Sequence, residues 1–459
     1  MTSVPSTVGI VASGEDVLND AVFWVDAGRS SISNGALTYL GTGGSALNAV
    51  FGNSTGVDSF DPALLTHTGT NYLYLPGLAS NYASTPSATP LNVNGDIELV
   101  LRCRATDWSS GAFQTLINKR VGAPNQSFGL RLNGSAGLDF VLSADGTTVA
   151  TASSTVVFPG LDNVTYWIKT TYRTSDLRVQ FWYASDQTSE PTVWSQIGAD
   201  VTHTVGSIAT SSAILEIGSR LNGAVDTFTG LIFRVIIRNG IGGTTVFDAD
   251  FTTGITSGAQ TTFTESSANA ATVTINRATS GRKSVAVVRP ILLFGTDDYL
   301  EVADNDLLDF GASDSFTAVA VVRQWATPNS FGRVMSKAPT SGAQWQLLNN
   351  STNAQRYLAI SDGTTTVNAG VGNPYTIGAL AITSAVRSTA TAKITLYNGN
   401  SAQAAVTDTT TGSLANSNVL RIGQASTGGA TSDMELVAAA VWRRALNANE
   451  IATIVNRYT

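Results

Sequence analysis

Apolar and polar residues alternate with a period of two through much of the chain. Ile97, Leu99, Leu101 and Cys103 interleave with Glu98, Val100, Arg102 and Arg104. Phe316, Ala318, Ala320 and Val322 take the same phase 219 residues later. Successive side chains of a strand point to opposite faces, so this alternation predicts strands with one buried face. Asn-Gly or Asp-Gly pairs begin at positions 34, 94, 133, 145, 222, 239, 362 and 398. Such pairs tolerate positive φ and favour tight hairpin turns. Many short strands with frequent turns predict a sandwich or jelly roll. The last residues read differently. Asn447 is placed to cap a helix, and Glu450 at the third helical position completes a capping box. Ile451, Ile454, Val455 and Tyr458 then share one face, which predicts a short terminal helix packed on the preceding sandwich.

The pattern occurs twice. Leu116-Ile117-Asn118-Lys119 matches Val334-Met335-Ser336-Lys337 at an offset of 218. Asp145-Gly146-Thr147 matches Asp362-Gly363-Thr364 at 217, and Ile214-Leu215-Glu216-Ile217-Gly218 matches Val419-Leu420-Arg421-Ile422-Gly423 at 205. The run 231–238 matches 436–443, again at 205. Val22-Phe23-Trp24-Val25-Asp26 resembles Thr245-Val246-Phe247-Asp248-Ala249. A near-constant offset that steps down once means two homologous modules, the second with a shortened loop. The boundary is expected near residue 243, after Gly240-Ile241-Gly242-Gly243. That gives a sandwich with an N-terminal extension over 1–243 and a sandwich ending in a helix over 244–459.

A length of 459 residues allows two or three domains of ordinary size. Charged residues are 13% of the chain, about half the usual share. Thr, Ser, Ala, Gly and Asn take their place, a mix suited to strands and turns. A net charge of −7 gains nothing from the phosphate attraction that drives nucleic-acid binding, and offers no basic patch to an anionic membrane. No apolar run reaches the ~20 residues that a helical span needs. The opening MTSVPSTVGI carries no basic stretch leading into an apolar one, so no secretory signal is expected. Cys103 is the only cysteine, which excludes an intramolecular disulfide, and its strand phase points it into the core.

Catalytic signatures fail in turn. Glycoside hydrolysis needs two facing carboxylates. None of the eight Glu residues lies in a Glu-x-Asp-x-Glu strand motif, and the nearest cluster, Asp433-Met434-Glu435, lacks the second Glu. No Gly-Lys pair exists for a phosphate loop. Gly41-Thr42-Gly43-Gly44-Ser45-Ala46 fits GxGxxA but has no βαβ surroundings, so it reads as a turn. Asn133-Gly134-Ser135-Ala136-Gly137 lacks the first Gly of a nucleophile elbow. His67 and His203 have no Cys or His beside them and read as loop or surface residues.

The second module resembles the LamG-like, or concanavalin A-like lectin/glucanase, jelly-roll family. The carriers are Phe294-Gly295-Thr296-Asp297-Asp298-Tyr299-Leu300-Glu301-Val302, Ser315-Phe316-Thr317, Leu420-Arg421-Ile422-Gly423 and Trp442-Arg443-Arg444-Ala445-Leu446 leading to Glu450-Ile451. The first module keeps Asn71-Tyr72-Leu73-Tyr74-Leu75 and the Leu-Glu-Ile-Gly strand, but Arg238-Asn239 has no helix after it. The whole arrangement is also similar to bacteriophage minor tail proteins. Here the carriers are Asp248-Ala249-Asp250-Phe251 and Ser280-Gly281-Arg282-Lys283 leading into Arg289-Pro290, with 21 Arg over 5 Lys as in a GC-rich genome.

The resemblance implies an all-β fold of two tandem jelly-roll sandwiches. It also implies a non-enzymatic virion protein at the tail or surface, assembled in the host cytoplasm and oligomeric in the particle. Its partners would be other virion proteins and host-surface glycan. A carbohydrate-active enzyme or a free bacterial lectin of the same fold is the alternative. Related modules bind calcium at the loop holding Asp297 and Asp298, whose oxygens suit that ion; otherwise the two aspartates cap a turn. The first module has Thr70-Asn71 there. Glycan binding would use loop aromatics, and Trp108, Trp194 and Trp325 lie beside polar stretches, where packing is the competing role.

Overall fold

Strands dominate the computed structural model, which describes residues 14–30, 32–33, 36–37, 40, 42, 47–52, 62–325, 327, 331–350, 355–370, 374–429 and 431–459. The chain divides into two units, His67–Arg289 and the combination of Met1–Thr66 with Pro290–Thr459. Each is an antiparallel sandwich of two sheets, the jelly-roll architecture that the alternation and turn spacing predict.

In the 67–289 unit one sheet is centred on Ile97–Ala105. Tyr166–Arg173 and then Arg178–Ser185 extend it on one side, and Thr229–Asn239 pairs on the other. Thr229–Asn239 also pairs with Tyr72–Pro76 and Thr244–Asp250. The facing sheet runs Ala150–Ser153, Leu138–Leu142, Gln126–Leu132, Gln114–Arg120, Leu215–Ile217, Tyr82–Thr85, Thr272–Asn276 and Thr262–Thr264. In the other unit Phe316–Gln324 takes the central place, between Leu380–Ser388 and Met434–Trp442. Lys393–Asn398 lies beyond Leu380–Ser388, and Met434–Trp442 pairs further with Ile291–Leu293 and Phe23–Asp26.

The expected boundary at 243 is corrected by these pairings. Thr244–Asp250 folds back on Thr229–Asn239 through a turn holding Gly240 and Gly242 at φ 91° and 63°, and so completes the first sheet. Thr272–Asn276 and Val285–Val287 join the same unit. Their counterparts Phe23–Asp26, Ala49–Phe51 and Ala63–Leu65 join the strands of 290–459 instead. The opening segment of each sequence repeat therefore closes the sandwich built from the other repeat. The physical reason is locality: a four-residue hairpin loop costs less closure entropy than any alternative partner, so Thr244–Asp250 occupies that place.

The predicted strand phases hold. Ile97, Leu99, Leu101 and Cys103 lie in one core cluster, and Phe316, Ala318, Ala320 and Val322 in the other. The opposite face is not solvated as the alternation predicts, because Glu98, Val100, Arg102, Val319 and Val321 are buried too. Asn133, Asp145, Asn239, Asp362 and Asn398 all sit at turns between paired antiparallel strands. The helix Ala448–Tyr458 carries the predicted capping box and buries Ile451, Ile454, Val455 and Tyr458. Trp442, on the outer face of that sheet, is buried and donates from Nε1 to the Val17 carbonyl at 2.8 Å. No helix among the described residues is long and apolar enough to cross a membrane.

Candidate functional site

Strand registry brings together a group of side chains on the outer face of the 67–289 unit. Lys169 stands opposite Trp182 on one neighbouring strand and Val100 on the other, and Trp182 stands opposite Gln196. Above this row runs the segment 186–194, held down at three points. Arg102 donates to the Asp186 carboxylate at 2.6 and 3.0 Å. Trp167, fully buried, donates to the Gln187 carbonyl at 2.9 Å. Arg238 donates to Glu190 at 2.9 Å and also binds Glu98. These ties deliver Trp194, whose Nε1 donates to the Pro191 carbonyl at 2.8 Å.

The result is a cleft with an ammonium between two indoles. Lys169 Nζ lies 4.3 Å from the Trp194 ring centre and 5.6 Å from that of Trp182. Both tryptophans are partly exposed. Burial lowers the Lys169 pKa, while Glu98 and Glu190 oppose the shift and Arg238 adds to it. Beside the cleft, Gln180 and Gln196 donate to Asp200 Oδ1 at 2.8 and 2.7 Å, and Arg178 donates to its Oδ2 at 2.8 Å. Aromatic faces flanked by amides, a carboxylate and a cation can stack on a sugar ring and hydrogen-bond its hydroxyls. Sequence reading names Trp194 as a loop aromatic and does not name Trp182 or Lys169, which the structure sets beside it. Their signal was the alternation of Trp167, Lys169 and Trp182 with core residues on adjacent strands.

The other expected sites resolve differently. Trp108 is corrected: it is 2% exposed, belongs to the core and packs 4.4 Å from Phe158, so it offers no platform. Trp325 is partly exposed beside Arg323, whose guanidinium lies 5.5 Å from its ring. His203 is corrected as well. It is 2% exposed, lies between Phe140 and Tyr172, and accepts from Val205 N at 3.1 Å. His67 meets Asn71 Oδ1 at 2.9 Å. Cys103 is buried as expected, and burial pushes its thiol pKa up. Asn133 accepts from Ser135 N and Gly137 N, the turn that its spacing predicts. Gly41 and 43–46 of the GxGxxA run, and the opening ten residues, lie outside the described residues.

Asp297 and Asp298 part company. Asp297 is exposed, whereas Asp298 is 1% exposed and accepts from Gly295 N at 2.8 Å, closing the turn before Leu300–Val302. No group of three or more His, Cys, Asp or Glu side chains suited to a metal occurs among the described residues.

Several carboxylates on or beside the sheets are taken up by arginines, whereas the buried Glu216 accepts from Ser219 Oγ, Asn222 N and Gly223 N. Asp248 is bonded to Arg234, Asp408 to Arg387, Glu301 to Arg421 and Glu435 to Arg323. Glu98 and Glu190 are brought near each other, but Arg238 binds both. A glycosidase pair must face a substrate bond from two sides, and here a guanidinium fills the space between.

Residues 294–452 match the family model of the concanavalin A-like lectin/glucanases superfamily. The fold is thus of the lectin type. The chain is similar to mouse laminin α1 domains LG4-5, at 12% identity over 86% of this chain and 93% of that one, with a TM-score of 0.26. It is also similar to the CBM40 of Ruminococcus gnavus IT-sialidase bound to α2,3-sialyllactose, at 14% identity over 36% of this chain and 89% of that one, with a TM-score of 0.27. Domain 4 of the Geobacillus stearothermophilus arabinanase AbnA, in complex with arabinotriose, aligns at 7% identity over 37% and 77%, with a TM-score of 0.30. No curated protein matches the chain.

Proposed function

We propose that this chain is a non-enzymatic, lectin-like protein that binds glycan on the outer sheet face of its 67–289 sandwich. The observation that carries the reading is the cleft of Trp182, Trp194 and Lys169. The corresponding strand residues Val319 and Val321 of the other unit are buried. The Lys169 ammonium makes no hydrogen bond or ion pair among the described residues, so it is available to a ligand's oxygens. A half-buried cation flanked by indoles strengthens contact with a polar ring that displaces water.

The finer role is that of a bacteriophage virion component, at the tail or another surface, with neighbouring virion proteins and host-surface glycan as partners. Its support is the duplicated module together with the resemblance of Asp248-Ala249-Asp250-Phe251 and the Ser280–Lys283 run to minor tail proteins. Gold-labelled antibody against this chain, applied to purified particles, should decorate the tail or surface. Particles that carry none of the chain would contradict the virion role and leave a free lectin as the reading.

A further inference from the structure

A second opening lies away from the Trp182 cleft, where three loops of the 67–289 unit meet. They join Tyr72–Pro76 to Tyr82–Thr85, Ile97–Ala105 to Gln114–Arg120, and Leu215–Ile217 to Thr229–Asn239. They enclose an open cavity of about 410 Å³ lined by Ser110, Phe113, Gln114, Asp226, Thr227 and Thr229. That volume falls in the range of small-molecule sites.

Its walls are fixed. Gln114 donates to the Asp107 carbonyl at 3.2 Å and to Ser110 Oγ at 2.8 Å, and accepts from Thr229 N at 2.9 Å. Thr227 Oγ1 donates to the Gly77 carbonyl at 2.6 Å, and a Cβ at Gly77 would sit 1.9 Å from Thr229 Oγ1, so the loops meet as closely as a glycine allows. The Arg131 guanidinium covers Phe113 at 3.8 Å from the ring centre and is itself held by Asp139 at 3.1 and 3.0 Å. Asp226 adopts φ 51°, with its carbonyl accepting from Thr115 N at 2.7 Å. A non-glycine residue in the left-handed region is held there by its surroundings, and such residues concentrate at functional sites.

What remains unused is specific. Phe113 is 45% exposed, unusual for a phenyl ring backed by a fixed guanidinium. Asp226 Oδ2 receives Arg220 Nε at 2.5 Å, while its Oδ1 takes no hydrogen bond among the described residues. The Ser110 hydroxyl oxygen is an acceptor to Gln114, which leaves its proton to give, and the Thr229 hydroxyl has no partner among the described residues. An acceptor, two hydroxyls and an apolar ring face suit a ligand with many hydroxyls on one side and C–H groups on the other. Arg131 and Arg220 offset the Asp226 charge, so the cavity does not select a cation.

We infer that this cavity binds one terminal pyranose of a neutral glycan, stacked on Phe113 with its hydroxyls on Asp226 Oδ1 and Ser110. The inference shares only the ligand class with the lectin-like reading above, and its site is separate. The test is saturation-transfer NMR and titration of the full chain with glucose, galactose, mannose and N-acetylglucosamine. At least one should bind saturably in the millimolar range. Phe113→Ala should weaken it about tenfold or more, the scale of one lost stacking contact. Phe113→Trp should retain binding, and Phe113→Ala should weaken it to the same degree when it is made in a Trp182→Ala background, where the sheet-face site is already removed. No saturable binding by any of the four sugars, or loss in Trp182→Ala but not in Phe113→Ala, would overturn the cavity assignment. The first result leaves oligosaccharide binding at the sheet face to its own measurement, and the second assigns the sugar to that face instead of the cavity.

Discussion

The phenol of Tyr458 donates to the Asp26 carboxylate at 2.8 Å, joining the last helical turn to a strand 432 residues earlier. Both groups are buried, and Gly28 N supplies Asp26 with a further hydrogen bond at 2.8 Å. Burial and the neighbouring carboxylate push the Tyr458 pKa up, so the donor keeps its proton across the physiological range. Tyr458→Phe leaves a buried carboxylate short of a donor, at a cost of roughly 1–3 kcal/mol. Urea unfolding should show this loss. A change below ~0.5 kcal/mol would mean that the opening strand is not tied in this way.

Lys119 and Lys337 fill matching strand positions with different partners. Lys337 Nζ meets Asp304 at 2.7 Å and Asp309 at 2.9 Å, whereas Lys119 Nζ meets Ser87 Oγ at 3.1 Å and the Ser211 and Ala213 carbonyls at 2.5 and 3.0 Å. Burial without a carboxylate lowers the Lys119 pKa to about 8. Between that value and the ordinary lysine pKa the unfolded chain holds the extra proton, so this group's contribution to stability rises with pH through the window. Wild type should therefore gain on Lys119→Met as pH goes from 8 to 10, by at most ~1.4 kcal/mol per unit. Parallel stability curves would refute it.

Burial also lowers the pKa of His203. Its neutral form is the folded one, so the stability it contributes is present above the ordinary histidine pKa and is lost as pH falls below it. Wild type should lose stability faster than His203→Gln between pH 6.5 and 5. Equal slopes for the two proteins would contradict the buried neutral imidazole.

The turn before Leu300–Val302 separates its two aspartates. Asp298→Ala removes the acceptor for Gly295 N and should cost roughly 1–3 kcal/mol, while Asp297→Ala, on an exposed side chain, should stay within ~0.5 kcal/mol. Chelator is expected to leave the melting curve unchanged. A fall of several degrees on chelation, abolished in Asp298→Asn, would assign the loop to calcium instead, since a bound metal stabilises the native state by mass action.

Local features were legible in the residues, and long-range partnership was not. The phases of 97–103 and 316–322, the turns at Asn133 and Asp362, and the capping box of Asn447 and Glu450 all depend on neighbours within a few residues. The repeat offsets correctly matched Phe23–Asp26 to Thr244–Asp250 as equivalent strands. They could not say which sandwich each strand closes, because equivalent strands fit both. Asn239-Gly240 was already a hairpin signal, and reading it as a turn inside a sheet would have moved the boundary past 243. Trp108 and His203 were placed by their polar neighbours in sequence, yet the loops around them fold over the ends of the core. The Trp182 cleft depends on cross-strand registry and on a segment pinned by Arg102, Trp167 and Arg238, none of which spacing alone reveals.

The most direct test of lectin-like, non-catalytic function is titration of the intact chain with a panel of oligosaccharides, with reducing ends counted in the same samples. Wild type should bind saturably, Trp182→Ala should lose about tenfold or more in affinity with an unchanged melting curve, and no new reducing ends should accumulate. Steady release of reducing ends that stops in Glu98→Gln or Glu190→Gln, or binding indifferent to Trp182, would contradict the account.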